Sequence, residues 1–128
     1  MRIEKTKFQQ NLKDANNEKD IEHIWREEFR HINPKIKISS PYNTDGILTF
    51  NNIHTLLEFK DKKGFKDKRV RCSVIMQALY YIHNIMESGD PVPTTIFIGD
   101  NSDCFYLRTN VLSTYLNRHD IDFVLRFW

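Results

Sequence analysis

The pattern of apolar and polar residues predicts an α/β domain with a mixed central sheet flanked by helices. Three observations predict it. Residues 18–32 and about 70–87 repeat apolar side chains at helical spacing. Residues 45–60 read as two short apolar strands joined by a turn at Asn51-Asn52. Residues 94–98 and 104–107 read as a second strand pair around a tight turn. The chain has 128 residues, 40% of them hydrophobic and 28% charged, which is enough for one domain with a real core.

Residues 1–17 are polar and read as a poorly ordered or loosely docked start. Asn16-Asn17 then offers a helix cap, and Glu18 and Asp20 occupy the first turn, where the helix dipole favours acids. Ile21, Ile24, Trp25, Phe29 and Ile32 form the apolar face of this helix, and Asn33-Pro34 ends it. Ile36-Lys37-Ile38 reads as a short edge strand, and residues 39–44 as a loop that delivers Asp45. Val74, Ile75, Ala78, Leu79, Ile82, Ile85 and Met86 set the period of the second helix, which Ser88-Gly89-Asp90-Pro91 terminates. Asp100 and Asp103 read as turn residues between the last two strands. A short helix is expected over 109–117 and a final strand over 121–127.

No apolar run approaches the ~18–20 residues of a membrane span. The start, Met1-Arg2-Ile3-Glu4-Lys5-Thr6-Lys7, shows no secretory signal. Cys72 and Cys104 are too few for a disulfide framework or a zinc site, and read as reduced thiols of a cytoplasmic protein. The five histidines lack metal-ligand spacing and read as structural, although His54 lies in the second strand, close in sequence to the candidate site. There is no glycine-rich phosphate loop.

Net charge is only +2, but it is unevenly spread. Lys60, Lys62, Lys63, Lys66, Lys68, Arg69 and Arg71 stand against Asp61 and Asp67 alone. A basic block of this kind suits a polyanion, or forms a solvated loop.

The chemistry-bearing constellation is Asp45, Glu58 and Lys60. Strand side chains alternate, so Glu58 and Lys60 share a face while Phe59 points to the other. Charges closing an apolar strand need a partner. Two carboxylates from neighbouring strands suit a hard cation such as Mg²⁺, with the Phe59 carbonyl as a third oxygen and Lys60 beside a reacting phosphate. Gln77, Tyr81 and Asn84 fall at i, i+4 and i+7 on the second helix and form a polar stripe along one edge of its apolar face, the natural second wall of a site. Glu18, on the core side of the first helix, is either an accessory ligand or a dipole partner.

Asp45, Glu58-Phe59-Lys60 and the helix carrying Gln77-Ala78-Leu79-Tyr80-Tyr81 together resemble the PD-(D/E)xK nuclease superfamily. The resemblance spans about residues 18–98. It implies a restriction-endonuclease-like αβββαβ core within a single nuclease-like domain, 1–128, and metal-dependent endonuclease cleavage of DNA. Asp45 and Glu58 would then be metal ligands and Lys60 the catalytic amine. Gln77 and Tyr81 match the Gln-x-x-x-Tyr signature of the RecB-like branch, and Glu18 matches a first-helix glutamate of several members. Mg²⁺ is the implied cofactor, with Mn²⁺ as a substitute. Lys62, Lys63, Lys66, Lys68, Arg69 and Arg71 are the candidate DNA contacts. The residue before Asp45 is Thr44 rather than proline, which removes no chemistry.

The chain is short for a stand-alone restriction enzyme and is similar to the nuclease modules of fused restriction–methylation enzymes. That likeness implies a recognition or methyltransferase domain or subunit as partner. A double-strand cut from one small site implies a homodimer. Two other functions compete: a DNA-binding or assembly module that keeps the fold without cleaving, and a structural domain in which Glu58 and Lys60 form an ordinary ion pair.

Overall fold

The computed structural model describes residues 2–40 and 44–112. The elements run α1 (Arg2–Asp14), α2 (Glu18–Ile32), β1 (Lys37–Ser39), β2 (Gly46–Phe50), β3 (Ile53–Phe59), α3 (Lys68–Glu87), β4 (Thr95–Gly99), β5 (Cys104–Arg108) and a short 3-10 helix, Thr109–Leu112. The five strands form one sheet in the order β1-β2-β3-β4-β5. Only β3 and β4 pair in parallel, because α3 carries the chain across between them. The other neighbours are antiparallel, which makes the sheet mixed, as expected.

Strand alternation sorts the core into two layers. Leu56, Ile96 and Ile98 face α3 and meet Val74, Ala78, Leu79 and Ile82. Leu57, Phe59 and Phe97 face the opposite side, where Ile21, Trp25 and Phe29 of α2 and Leu12 of α1 cover them. A sheet buried on both faces explains why β3 is apolar almost throughout its second half.

Local chemistry sets the boundaries. The Asn17 side chain caps α2 by accepting from the Asp20 N–H at 2.9 Å. α3 starts at Lys68, two residues ahead of expectation, because Asp67 caps it by accepting from the Arg69 N–H at 2.8 Å. It ends at Glu87 with Ser88 as C-cap, and Gly89 follows with a φ of +77° that suits the left-handed position after a helix.

The β2–β3 hairpin turns on Asn51 and Asn52, with φ of +50° and +65°. Two residues in the left-handed region make the mirror-image turn that matches strand twist. Asn52→Gly is expected to raise stability by up to about 1 kcal/mol, and Asn52→Val to lower it by about 1–2 kcal/mol, in parallel thermal melts.

The N-terminal segment departs from expectation. Residues 2–14 form a helix docked on α2, not a loose start. Leu12 and Ala15 are buried, and the Phe8 ring packs edge-on against Trp25 at 4.9 Å. Asn101 Nδ2 donates to the Leu12 carbonyl at 3.1 Å and ties the end of α1 to the β4–β5 turn. The edge strand β1 sits one residue later than Ile36-Lys37-Ile38, and β5 extends to Arg108. Of the helix expected over 109–117, residues 109–112 form the 3-10 helix. The remainder, and the strand expected over 121–127, lie outside the described residues.

Candidate active site

The chain brings Asp45, Glu58, Lys60 and Gln77 together where β2 begins and β3 ends. By alternation with Ile47 and Leu56, Asp45 and Glu58 project toward the α3 face of the sheet. Lys60 lies one residue beyond β3, and its N–H donates to the Gly99 carbonyl at 3.0 Å, which keeps its backbone in strand register. Its Nζ stands 3.1 Å from Glu58 Oε1 and donates to Gln77 Oε1 of α3 at 2.6 Å. Asp45 Oδ2 accepts from the Phe59 N–H at 2.7 Å, so the two strands are joined at the site by a carboxylate.

The site is acidic and grades from the buried Glu58 to the exposed Gln77. Glu58 is 3% exposed, and its Oε2 is buried with no hydrogen-bond partner among the described residues. Burial pushes the Glu58 carboxyl up to about 7; the Asp45 charge adds to this, while Lys60 opposes it and Glu18 adds a little more. Burial also raises the Asp45 carboxyl, against the Phe59 N–H, Lys60 and Arg26, which all favour its charged form. The Tyr81 hydroxyl is raised by burial and by the charges of Glu58 and Asp45, which places it within electrostatic reach of the pair.

The residues present fit a hard divalent cation. Two carboxylates held at one end of a strand, one with an orphaned buried oxygen, form an incomplete oxygen site that a cation would complete. Among the described residues, no group of three or more His, Cys, Asp or Glu side chains converges as a metal cage. Mg²⁺ does not require one, since it keeps several waters and takes one or two protein carboxylates.

Other sequence-predicted residues fall as follows. Lys62, Lys63, Lys66, Lys68 and Arg69 are exposed on the segment leaving the site. Arg71 is half-buried, and its Nη1 donates to the carbonyls of Phe65 and Lys66 at 2.6 and 3.0 Å, so it braces the basic loop. His54 lies outside the site. It is four residues back along β3, about 13 Å at strand rise, with Nδ1 2.9 Å from Thr49 Oγ1. Asp100 is a turn residue: its Oδ1 accepts from the Ser102 and Asp103 N–H groups, both at 2.9 Å.

Two residues at the margins of the site escaped the sequence reading. Arg26 of α2 donates to the Asp45 carbonyl at 2.5 Å, and Gly46 leaves it room, since a Cβ there would stand 3.1 Å from Arg26 Nη2. The spacing of Glu18, Glu22 and Arg26, each four apart on one helix face, was the available signal. Asn101 Oδ1 accepts from the Lys62 N–H at 2.8 Å and holds the turn after Lys60, where Lys62 takes φ +50°. No spacing rule points to a contact between residues 39 apart.

No family model, curated protein or solved structure matches this chain.

Proposed function

We propose that the protein is a Mg²⁺-dependent deoxyribonuclease, the endonucleolytic cleavage module of a restriction-type system. The observation that carries this is the convergence of Asp45, Glu58, Lys60 and Gln77, with Glu58 Oε2 buried and unpartnered. The order α2-β1-β2-β3-α3-β4 supports it, being the αβββαβ order that the PD-(D/E)xK resemblance implies. The segment that leaves the site carries five exposed cations, Lys62, Lys63, Lys66, Lys68 and Arg69, suited to a phosphate backbone.

Asp45, Glu58 and the Phe59 carbonyl would hold the cation. A divalent cation supplies water activation and neutralises charge that builds on the phosphate. The chain's own residues do the rest. Lys60 has three N–H donors. Among the described residues Glu58 and Gln77 engage two, which leaves the third to meet a phosphate oxygen or the attacking water. Gln77 accepts from Lys60 through Oε1, which leaves its amide N–H groups to orient the same phosphate. The burial of Glu58 strengthens its contact with Lys60 over its value in water.

A melting experiment tests the cation site without any substrate. Mg²⁺ or Mn²⁺ at one hundred times its dissociation constant is expected to add about 2.7 kcal/mol of stability. Glu58→Ala is expected to remove that gain. A wild-type melting temperature indifferent to both ions would sink the proposal and leave Glu58–Lys60 as a structural ion pair. Metal stabilisation with salt-dependent DNA binding but no cleavage would point instead to a binding or assembly module.

A further inference from the structure

We infer that Arg26 is a positioning residue that clamps the Asp45 segment to α2 and thereby holds the Asp45 carboxylate on the Phe59 N–H. It would matter to catalysis only if Asp45 is the cation ligand proposed above. Arg26 Nη2 lies 2.6 Å from Ser40 Oγ and 2.5 Å from the Asp45 carbonyl. These contacts fasten both ends of the connection between β1 and β2 to one side chain of a rigid helix.

Arg26 is itself aimed. Glu22, one turn earlier on α2, pairs with the same Nη2 at 2.8 Å. Gly46 keeps the approach open, because a Cβ at that position would press on Nη2. Arg26 Nε is buried with no hydrogen-bond partner among the described residues, so that nitrogen has given up water while Nη2 makes the contacts.

The consequence reaches Asp45 in two ways. Its backbone is fixed immediately before β2, so its side chain spans to β3 and meets the Phe59 N–H at 2.7 Å. The positive guanidinium also favours the charged forms of both the Glu22 and Asp45 carboxylates, and the Asp45 charge acts on Glu22 in the opposite sense. Arg26 touches neither Lys60 nor Glu58 in any hydrogen bond or ion pair among the described residues, so it acts through Asp45.

Amide hydrogen exchange of the full chain without metal, compared between the wild type and Arg26→Gln, tests the clamp. The Phe59 amide is expected to exchange about tenfold faster in the variant, while the Leu56 and Leu57 amides keep their protection. Arg26→Lys, which retains the charge and N–H donors, is expected to restore part of it. Ser40→Ala removes one leg of the clamp without touching charge. It is expected to move the Phe59 amide in the same direction by less, and it serves if Arg26→Gln does not fold.

With metal present, Mn²⁺ affinity is expected to fall about tenfold in Arg26→Gln, and kcat to fall while KM for DNA holds. An unchanged Phe59 amide in both Arg26→Gln and Ser40→Ala would overturn the inference, whatever happens to activity. A released Phe59 amide in a protein whose wild type neither binds Mn²⁺ nor cleaves would support the clamp and reject the nuclease.

Discussion

Lys60→Ala is expected to lower DNA cleavage by about a hundredfold to ten-thousandfold while leaving the fold and DNA binding in place. Lys60 Nζ is the one cation in hydrogen-bond contact with both Glu58 and Gln77 among the described residues. Under the proposed function, its removal takes away the positive side chain that would meet the phosphate. The exposed cations on the segment after it remain, so affinity for the duplex and its salt dependence are expected to change little. Breaking a buried ion pair by deleting one partner usually costs about 3–5 kcal/mol. Here the cost is expected to be smaller, because Glu58 already holds its proton up to about pH 7 and becomes neutral when Lys60 is gone. Lys60→Met keeps most of the buried stem and is the control for packing. Cleavage within tenfold of wild type in both variants would remove Lys60 from the chemistry.

Glu58→Gln is expected to make the metal-free protein more stable at pH 8 and, at the same time, inactive. The folded Glu58 carboxyl sits at about 7, above the ordinary 4.5. Below the ordinary value both folded and unfolded chains hold the proton, and burial carries no penalty from this group. As pH rises from about 4.5 to about 7, the unfolded chain releases its proton while the folded chain keeps it. Stability is therefore lost across that window, by roughly 3 kcal/mol in total, and levels off above it. Glutamine keeps the shape and an acceptor for Lys60 but cannot ionise, so its urea-denaturation midpoint is expected to fall less between pH 5 and 8. The slope that remains belongs to Asp45 and Glu22, whose carboxyls burial also raises. Cation binding at the proposed site would act in the opposite sense. It would require ionised Glu58, so Mn²⁺ affinity in the wild type is expected to climb through pH 7 with release of a proton. Parallel stability curves for wild type and Glu58→Gln would show that Glu58 is not buried as described.

Such a residue is costly to keep. A buried carboxylate with an orphaned oxygen beside a second carboxylate lowers stability, and strain of this kind concentrates where function needs it. The same position filled by glutamine or leucine would build a quieter core.

Much of this arrangement is legible in the sequence where the signal is periodic or local. The Asn51-Asn52 pair announces the hairpin, because few other residues accept two left-handed positions in a row. Alternation alone places Glu58 and Lys60 on one face, and the 3.1 Å contact is its direct result. Helical spacing puts Gln77 on the face of α3 that Lys60 reaches.

What stays hidden depends on partners far away in the chain. Among its described side chains α1 offers Phe8 and Leu12 to the core, with Ala15 just beyond its end, and it becomes intelligible once Trp25 is present to receive Phe8. Arg26 reads as one more surface cation until the Asp45 carbonyl is seen beside it. Arg71 reads as a nucleic-acid contact, yet two nearby carbonyls claim its Nη1. Side chains that bond to the main chain leave no mark in composition, because any residue can supply the carbonyl.

Cleavage of supercoiled plasmid, with Mg²⁺ or Mn²⁺ and with EDTA as control, compared between wild type and Lys60→Ala, tests the central assignment most directly. Metal-dependent nicking or linearisation by the wild type, abolished by EDTA and by the substitution, is the result expected of Asp45, Glu58 and Lys60 acting as one site. Cleavage that persists in Lys60→Ala or in EDTA, or a wild type that leaves the plasmid intact with either metal, would contradict it.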